Sequence, residues 1–111
     1  MKLFTLFLLL TINYNFAFAQ SDKLPKGTIK KGSLSNQKLI QDAMLGVSAK
    51  VATLGCEKIE SFQAYVMQMP QGEVGSRFWL EKWMVKGCSK EYPVVIRFSE
   101  SGLGAANYSI E

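Results

Sequence analysis

Apolar residues recur at helical spacing in the segment between Ser35 and Leu54. They stand alternately four and three residues apart, at Ile40, Met44, Val47, Val51 and Leu54. This spacing places them on one side of a helix and leaves polar residues on the other side. Ser33 or Ser35 is predicted to cap the start of the helix, and Gly55 to end it. Because so short a helix does not bury enough apolar surface to be stable alone, it needs a sheet to pack against.

The chain after the helix carries four β-prone runs that are separated by turn residues. These runs are Ile59 to Met69, Arg77 to Gly87, Val94 to Phe98 and Ala106 to Ile110. The short connections predict a four-stranded antiparallel meander, to which residues 28–30 are able to add a short edge strand. The predicted fold class is α+β, with one long N-terminal helix packed on this sheet.

The only two cysteines flank the first predicted hairpin, whose loop is 70–76. If that loop is centred near Gly72, Cys56 lies opposite Cys88 in an antiparallel pair. Two cysteines in a small exported chain that lacks histidine favour a disulfide over a metal site. We therefore predict a Cys56–Cys88 disulfide and a register that places Tyr65 opposite Trp79.

The first nineteen residues predict a secretory signal peptide that is cleaved after Ala19. Lys2 supplies the positive start, Leu3 to Ile12 the apolar core, and Ala17-Phe18-Ala19 the cleavage site. The apolar core is too short to span a bilayer, so stable membrane insertion is not expected. Removal of residues 1–19 leaves about 90 residues, enough for one hydrophobic core. We predict a flexible lead-in at 20–33, a single α+β domain at 34–111, and a periplasmic or secreted protein.

The number and distribution of charged residues indicate which kind of partner the protein binds. The chain has 13 basic and 9 acidic side chains, a net charge of +4, and only one adjacent basic pair, Lys30-Lys31. So small and scattered an excess indicates solubility rather than nucleic-acid binding. We expect a protein, peptide or cell-envelope partner, no nucleic-acid partner, no cofactor and no metal.

The second β-prone run carries aromatic and charged residues with a period of two. Alternation along a strand projects four of them to one side: Arg77, Trp79, Glu81 and Trp83. Tyr65 falls on the same predicted face, and Arg97 is placed to stack on the indole of Trp83. One interpretation is a recognition strip, since aromatic and arginine side chains dominate binding hot spots. The other is a ladder that covers and stabilises the sheet, with Glu81 pairing Arg77 or Arg97.

The first hairpin loop is a second candidate binding site. Gln71, Glu73 and Val74 stand there among glycines, where a loop is able to enter the cleft of a partner. The alternative is an ordinary turn with one exposed carboxylate.

An enzyme is not favoured, and no catalytic residues are predicted. The chain lacks histidine, neither cysteine is expected to be free, and no serine lies in a nucleophile motif. The remaining enzyme hypothesis is a small hydrolase that uses Glu81 as its acid or base.

Two resemblances add to these expectations. From Trp79 to Cys88, with Val95 to Phe98 and the Gly102/Gly104 turn, the chain resembles small uncharacterised exported proteins of Gram-negative bacteria. That resemblance implies a periplasmic or secreted location and a role as a secreted effector. The order of elements is also similar to that of cystatin-like proteins, which insert a Gln-x-Val-x-Gly hairpin loop into cysteine-protease clefts. The loop here reads Gln71-Gly72-Glu73-Val74-Gly75, with the valine one place late, and the resemblance implies an inhibitor acting through residues 70–76 as the alternative function.

Overall fold

The computed structural model describes residues 24–111, and the predicted signal peptide at 1–19 lies outside the described residues. The elements in chain order are β1 (Lys30–Lys31), α1 (Gln37–Thr53), β2 (Ile59–Gln71), β3 (Phe78–Gly87), β4 (Lys90–Glu100) and β5 (Ala106–Ile110). The strands form one antiparallel sheet in the order in which they occur in the chain. The α+β class is confirmed. The sheet has five strands rather than four, however, and the helix follows β1 instead of preceding every strand.

The additional strand, β1, lies inside the predicted lead-in 20–33. It is two residues long and pairs Lys30 with Val66 of β2. Backbone hydrogen bonds of 2.8 Å extend this pairing by one residue on each side, at Ile29 and Gly32. The edge strand considered for residues 28–30 therefore exists with shifted bounds.

The ends of α1 are set by Asn36 and Gly55. The N-cap is Asn36 and not Ser33 or Ser35, because Asn36 Oδ1 accepts a hydrogen bond from the backbone N–H of Leu39 at 2.8 Å. This bond satisfies one of the first-turn amides that a helix leaves without a partner. Gly55 follows the helix with a φ of +107°, which glycine adopts without a steric penalty. The predicted end of the helix is confirmed.

The buried stripe of α1 is rotated from the predicted one. It consists of Leu39, Ala43, Val47 and Val51. Ile40 and Met44 lie half-buried at its margin, and Leu54 is 52% exposed. Gly46 packs against β5, since a Cβ at this position would lie 2.8 Å from Cε2 of Tyr108. The missing side chain lets helix and sheet approach closely.

We call the side of the sheet under α1 the helix face. Alternate residues of β3 and β4 form its buried centre: Trp79, Glu81, Trp83, Val85, Tyr92, Val94, Ile96 and Phe98. Trp83 stacks on Phe62 with ring centroids 4.6 Å apart, and Trp79 stacks on Phe98 at 5.3 Å. The opposite side, the outer face, carries the other alternate residues of these strands.

The β2–β3 register differs from the predicted one. Tyr65 lies opposite Lys82 instead of Trp79, and Ala64 lies opposite Trp83. The first hairpin is centred between Val74 and Gly75, where Gln71 pairs with Phe78, and not near Gly72. Register irregularities within β2 then reduce the offset from five residues at that pair to three at Tyr65. The resulting shift is three residues, an odd number, and an odd shift moves a strand's side chains to the other face. Tyr65 therefore lies on the outer face, while both tryptophans lie on the helix face.

The predicted disulfide is present. Cys56 and Cys88 are bonded, with their Cα atoms 5.8 Å apart. Cys88 and Ser89 have φ values of +52° and +60°, and they form the two-residue turn between β3 and β4. The bond thus ties the segment after α1 to this turn.

Strand β4 begins four residues earlier than predicted and contains Pro93. Val95 O accepts a hydrogen bond from the backbone N–H of Glu111, so Val95 directs its backbone groups toward β5. By alternation Pro93 faces the same side, beyond the point where β5 has ended at Ile110. Its missing N–H therefore breaks no bond of the ladder.

Candidate functional site

Glu81 is the one charged residue that is buried among residues 24–111. Its Oε1 atom accepts a hydrogen bond from Trp83 Nε1 at 2.8 Å. Its Oε2 atom accepts bonds from Trp79 Nε1 at 2.9 Å, Ser33 Oγ at 3.0 Å and the backbone N–H of Leu34 at 2.9 Å. Four donors thus meet on one carboxylate, as a buried polar group requires. The cluster ties the segment between β1 and α1 to the centre of the sheet.

This cluster overturns the exposed recognition strip. Trp79 is 7% exposed and Trp83 is fully buried, and both indole N–H groups bond Glu81 rather than solvent or a partner. Glu81 pairs with these indoles and not with Arg77 or Arg97. An acid or base of a hydrolase must reach the substrate, whereas the carboxylate of Glu81 is fully buried and its oxygens accept four hydrogen bonds within the protein. Trp79, Glu81 and Trp83 belong to the core.

Glu100 joins two loops at the far end of the sheet, the β2–β3 loop (72–77) and the β4–β5 loop (101–105). Its Oε1 atom accepts bonds from the backbone N–H groups of Gly75 at 2.9 Å and Arg77 at 3.0 Å. The Arg77 side chain adds Nε to Oε1 at 3.0 Å and Nη2 to Oε2 at 2.7 Å. Gly102 N–H donates to Gly75 O at 2.9 Å. We call this set of contacts the clasp, and it fixes the two loops relative to each other.

The clasp shifts the titration of its two charged members. The side-chain hydrogen bond from Arg77 lowers the pKa of Glu100 from 4.5 to about 2, and the backbone N–H groups of Arg77 and Gly75 add to this effect. The same pair raises the pKa of Arg77. Both groups are therefore charged across the neutral range, and the clasp opens only toward strongly acidic pH.

Two exposed apolar side chains lie on the clasped loops. Val74 is 69% exposed and Leu103 is 85% exposed. Glu73 is exposed on the first of these loops, and Gln71 is exposed at the end of β2 that leads into it. We call this end of the sheet the tip. Because the clasp holds the loops in place, the tip presents its apolar pair on a fixed backbone.

A groove of about 550 Å³ runs across the outer face. Apolar side chains of the sheet form its floor, among them Tyr65, Met84 and Pro93, and residues 24–26 form part of its wall. Its charged lining residues are Lys26, Lys31, Lys82, Lys86 and Glu91. Four cations against one carboxylate give this groove a net positive lining.

Arg97 also lies on the outer face, away from Trp83. Its guanidinium carbon lies 4.0 Å from the ring centroid of Phe78, in a cation–π contact. The predicted stacking of Arg97 on Trp83 is wrong, because the two side chains lie on opposite faces. Its aromatic partner is instead the first residue of β3.

The predicted site residues thus separate into five places. Tyr65 lies in the groove, Arg97 lies beside Phe78, and Arg77 lies in the clasp. The tip holds Gln71, Glu73 and Val74, and the core holds Trp79, Glu81 and Trp83.

Sequence reasoning missed the lysines of the groove because they come from three separate segments. Lys82 and Lys86 give a readable signal, since both fall with Met84 on one side of a strand. It also missed Leu103, although a large apolar residue between two glycines is a sign of an exposed loop tip.

Three further observations concern metal binding, membrane insertion and the disulfide. Within residues 24–111, no group of three or more His, Cys, Asp or Glu side chains is placed to hold a metal ion. In the same part of the chain, no helix is both long and apolar enough to cross a membrane. The disulfide is compatible with an oxidising compartment.

Comparison with protein-family models, with curated proteins and with solved structures found no match to the chain.

Proposed function

We propose that the protein is an exported, non-enzymatic domain that binds a protein or peptide partner through the outer-face groove. The observation that carries this proposal is the meeting of four lysines around an apolar floor. The lysines supply attraction and orientation for carboxylates, and Met84 and Pro93 supply apolar contact. Export rests on the predicted signal peptide, and it places the partner in the periplasm or outside the cell.

The groove favours an acidic peptide segment as the part of the partner that binds. Its volume of about 550 Å³ is that of a site for a few side chains. Carboxylates of the segment pair with Lys82 and Lys86, while one apolar side chain rests on Met84 and Pro93. This chemistry makes affinity fall as salt is raised, because exposed charges are screened within a Debye length of about 10 Å.

The test uses a fluorescently labelled peptide of alternating Glu and Leu residues, titrated at low salt. We expect saturable binding, and we expect the double variant Lys82→Glu/Lys86→Glu to weaken it by about tenfold or more. The matched control is Lys50→Glu/Lys58→Glu, which makes the same change in net charge with two exposed lysines outside the groove. Equal weakening by both variants would overturn the proposal, since it would show that net charge alone attracts the peptide.

A single-stranded oligonucleotide, titrated in parallel, separates peptide recognition from general attraction of polyanions. We expect it to bind more weakly than the peptide, because the groove offers few phosphate contacts. If the oligonucleotide binds as tightly, with the same dependence on Lys82 and Lys86, the peptide proposal is wrong.

The tip favours a second candidate, a cystatin-like inhibitor of cysteine proteases that acts through residues 70–76. The observation in its favour is the exposure of Val74 and Leu103 on neighbouring loops that the clasp holds in place. Such a convex apolar pair fits a concave apolar cleft, and its fixed backbone lowers the entropy cost of insertion.

This candidate is tested by adding the protein to a papain-like protease at micromolar concentration. Inhibition through the tip requires that the protein slows the protease and that Val74→Asp abolishes the slowing. The control is Leu45→Asp, since Leu45 is a similarly exposed apolar residue, at 73%, on the helix. Absence of slowing by the unmodified protein rules the inhibitor out.

A further inference from the structure

One edge of the sheet is formed by β5, which packs against β4 and α1. The backbone N–H of Glu111 donates to Val95 O, and that of Ser101 donates to Ala105 O. Both bonds show that the odd-numbered residues between 105 and 111 direct their backbone N–H and C=O groups toward β4. By alternation Ala106, Tyr108 and Ile110 direct their N–H and C=O groups away from the sheet. No backbone hydrogen bond within residues 24–111 uses these outward groups.

The two edges of the sheet differ in how they are guarded against pairing. At the other edge, β1 is a short strand of two lysines, and the neighbouring β2 carries several register irregularities. Lysines, short edge strands and bulges are the devices that keep natural edges from pairing. Strand β5 lacks the lysines and the bulges, because Ala106–Ile110 is uncharged and its pairing with β4 is regular; it is five residues long, and α1 packs on its helix face.

We propose that β5 is a dimerisation edge, where two copies of the chain join their β5 strands in antiparallel fashion. A two-fold axis at Tyr108 places Tyr108 opposite its counterpart and Ala106 opposite Ile110 of the second copy. All three outward-facing residues of each strand then pair, giving about six inter-chain hydrogen bonds and one continuous sheet.

The occupant is a second copy because the edge is complementary to itself. The outward groups of Ala106, Tyr108 and Ile110 are distributed symmetrically about Tyr108, so one register satisfies all of them. On the helix face the small Ala106 meets the larger Ile110, and no charge of β5 is brought against a like charge. The exposed Asn107 of one copy lies opposite Ser109 of the other on the outer face.

The dimer leaves the groove accessible, because no residue of β5 lines it. Two grooves on one continuous sheet allow a partner with two acidic segments to bind both copies. Such a partner gains affinity from the second, effectively intramolecular, contact. The dimer itself does not depend on the function proposed for the groove.

The test measures molar mass by light scattering and sedimentation over a concentration range up to about 0.5 mM. One variant, Asn107→Glu/Ser109→Glu, places like charges opposite each other twice across the joint. Its matched partner, Asn107→Lys/Ser109→Glu, places opposite charges there and differs at one position only. Both variants carry the Ser109→Glu substitution, which places a glutamate opposite Arg97 of the same chain. The contact with Arg97 therefore stabilises the folded monomer equally in the two variants.

We expect the unmodified chain to dimerise. We expect the Glu/Glu variant to have a dimer Kd at least about tenfold higher than that of the Lys/Glu variant. Unfolding curves of both variants establish that the fold is retained. A chain that stays monomeric over the whole range overturns the proposal, and so does a dimer whose Kd is the same in the two variants.

Discussion

The hydrogen bonds of Glu81 predict how the substitution Glu81→Gln acts. An amide has one oxygen, which accepts, and one nitrogen, which donates. Because Oε2 accepts three hydrogen bonds and Oε1 accepts one, the amide oxygen takes the Oε2 position. The amide nitrogen then faces the indole N–H of Trp83, and two donors meet without an acceptor.

The expected cost is about 3 kcal/mol of unfolding free energy. A hydrogen bond to a charged group contributes about 1.5–3 kcal/mol, and a buried donor that loses its partner costs about 1–3 kcal/mol. The charge-assisted bonds that remain at the Oε2 position also weaken when the acceptor becomes neutral. Since the free energy of unfolding of a small domain is about 5–15 kcal/mol, the variant remains folded and measurable.

A double-mutant cycle tests this geometry. Trp83→Phe removes the donor that the amide nitrogen would face, so Glu81→Gln costs about 1.5 kcal/mol less in that background. Trp79→Phe is the matched control, because Ser33 and Leu34 still hold the amide oxygen at the Oε2 position. The assay is urea unfolding followed by circular dichroism, with linear extrapolation to water. A neutral Glu81→Gln, or equal relief by both tryptophan variants, would refute the reasoning.

Three further predictions concern the clasp, the β2–β3 contact and the disulfide. Glu100 has a pKa of about 2 in the folded chain against 4.5 as its ordinary value, so its contribution to stability is complete above about pH 4.5 and is lost as the pH falls toward 2. Acid titration of unfolding should therefore be flatter in Glu100→Gln over this window, and an unchanged slope contradicts the clasp. Gly87→Ala should destabilise the fold by about 1–3 kcal/mol, because its Cβ would lie 2.5 Å from the backbone oxygen of Lys58; a neutral result in urea unfolding would contradict that close approach. Titration of the denatured, unreduced protein should detect no free thiol, and Cys56→Ser/Cys88→Ser should lower stability by about 3–4 kcal/mol; two titratable thiols would exclude the disulfide.

The elements that local chemistry determines were predictable from the sequence. The periodicity of α1, the stop at Gly55 and the bounds of β5 follow from residues within a few positions of one another. These features depend on the backbone nearby and not on distant contacts. The Cys56–Cys88 pairing was predicted correctly from a loop centre that was wrong, because the irregularities inside β2 bring the register back toward the predicted one at the open end of the hairpin.

The register of β2 and β3 was mispredicted because the loop is centred between Val74 and Gly75 and not near Gly72, and irregularities inside β2 change the register again along the strands. That shift decided where the tryptophans lie. The predicted register placed Tyr65 and Trp79 on one face and so indicated an exposed aromatic strip. In the structure Tyr65 lies on the outer face, while Trp79 and Trp83 lie on the helix face and belong to the core. The error about the site therefore follows from the error in register.

The charge on Glu81 gave the second misleading signal. A glutamate within an aromatic run suggests solvent exposure, since carboxylates are rarely buried without partners. Its partners are Ser33 and Leu34, more than forty residues earlier, and two indoles of its own strand. The residues near Glu81 in the sequence do not indicate that Ser33 and Leu34 supply hydrogen-bond donors to it. Lys26 and Lys31 of the groove were missed for the same reason, whereas Lys82 and Lys86 share one side of a strand with Met84 and gave a local signal.

The central claim is that the outer-face groove is the surface that binds the partner. Two-dimensional NMR of the protein during titration with the alternating Glu/Leu peptide tests it most directly. The account predicts that amide signals of Tyr65, Lys82 and Met84 shift in proportion to the bound fraction, while those of Val74 and Leu103 at the tip remain in place. Shifts confined to the tip, or no shifts at saturating peptide, would contradict it.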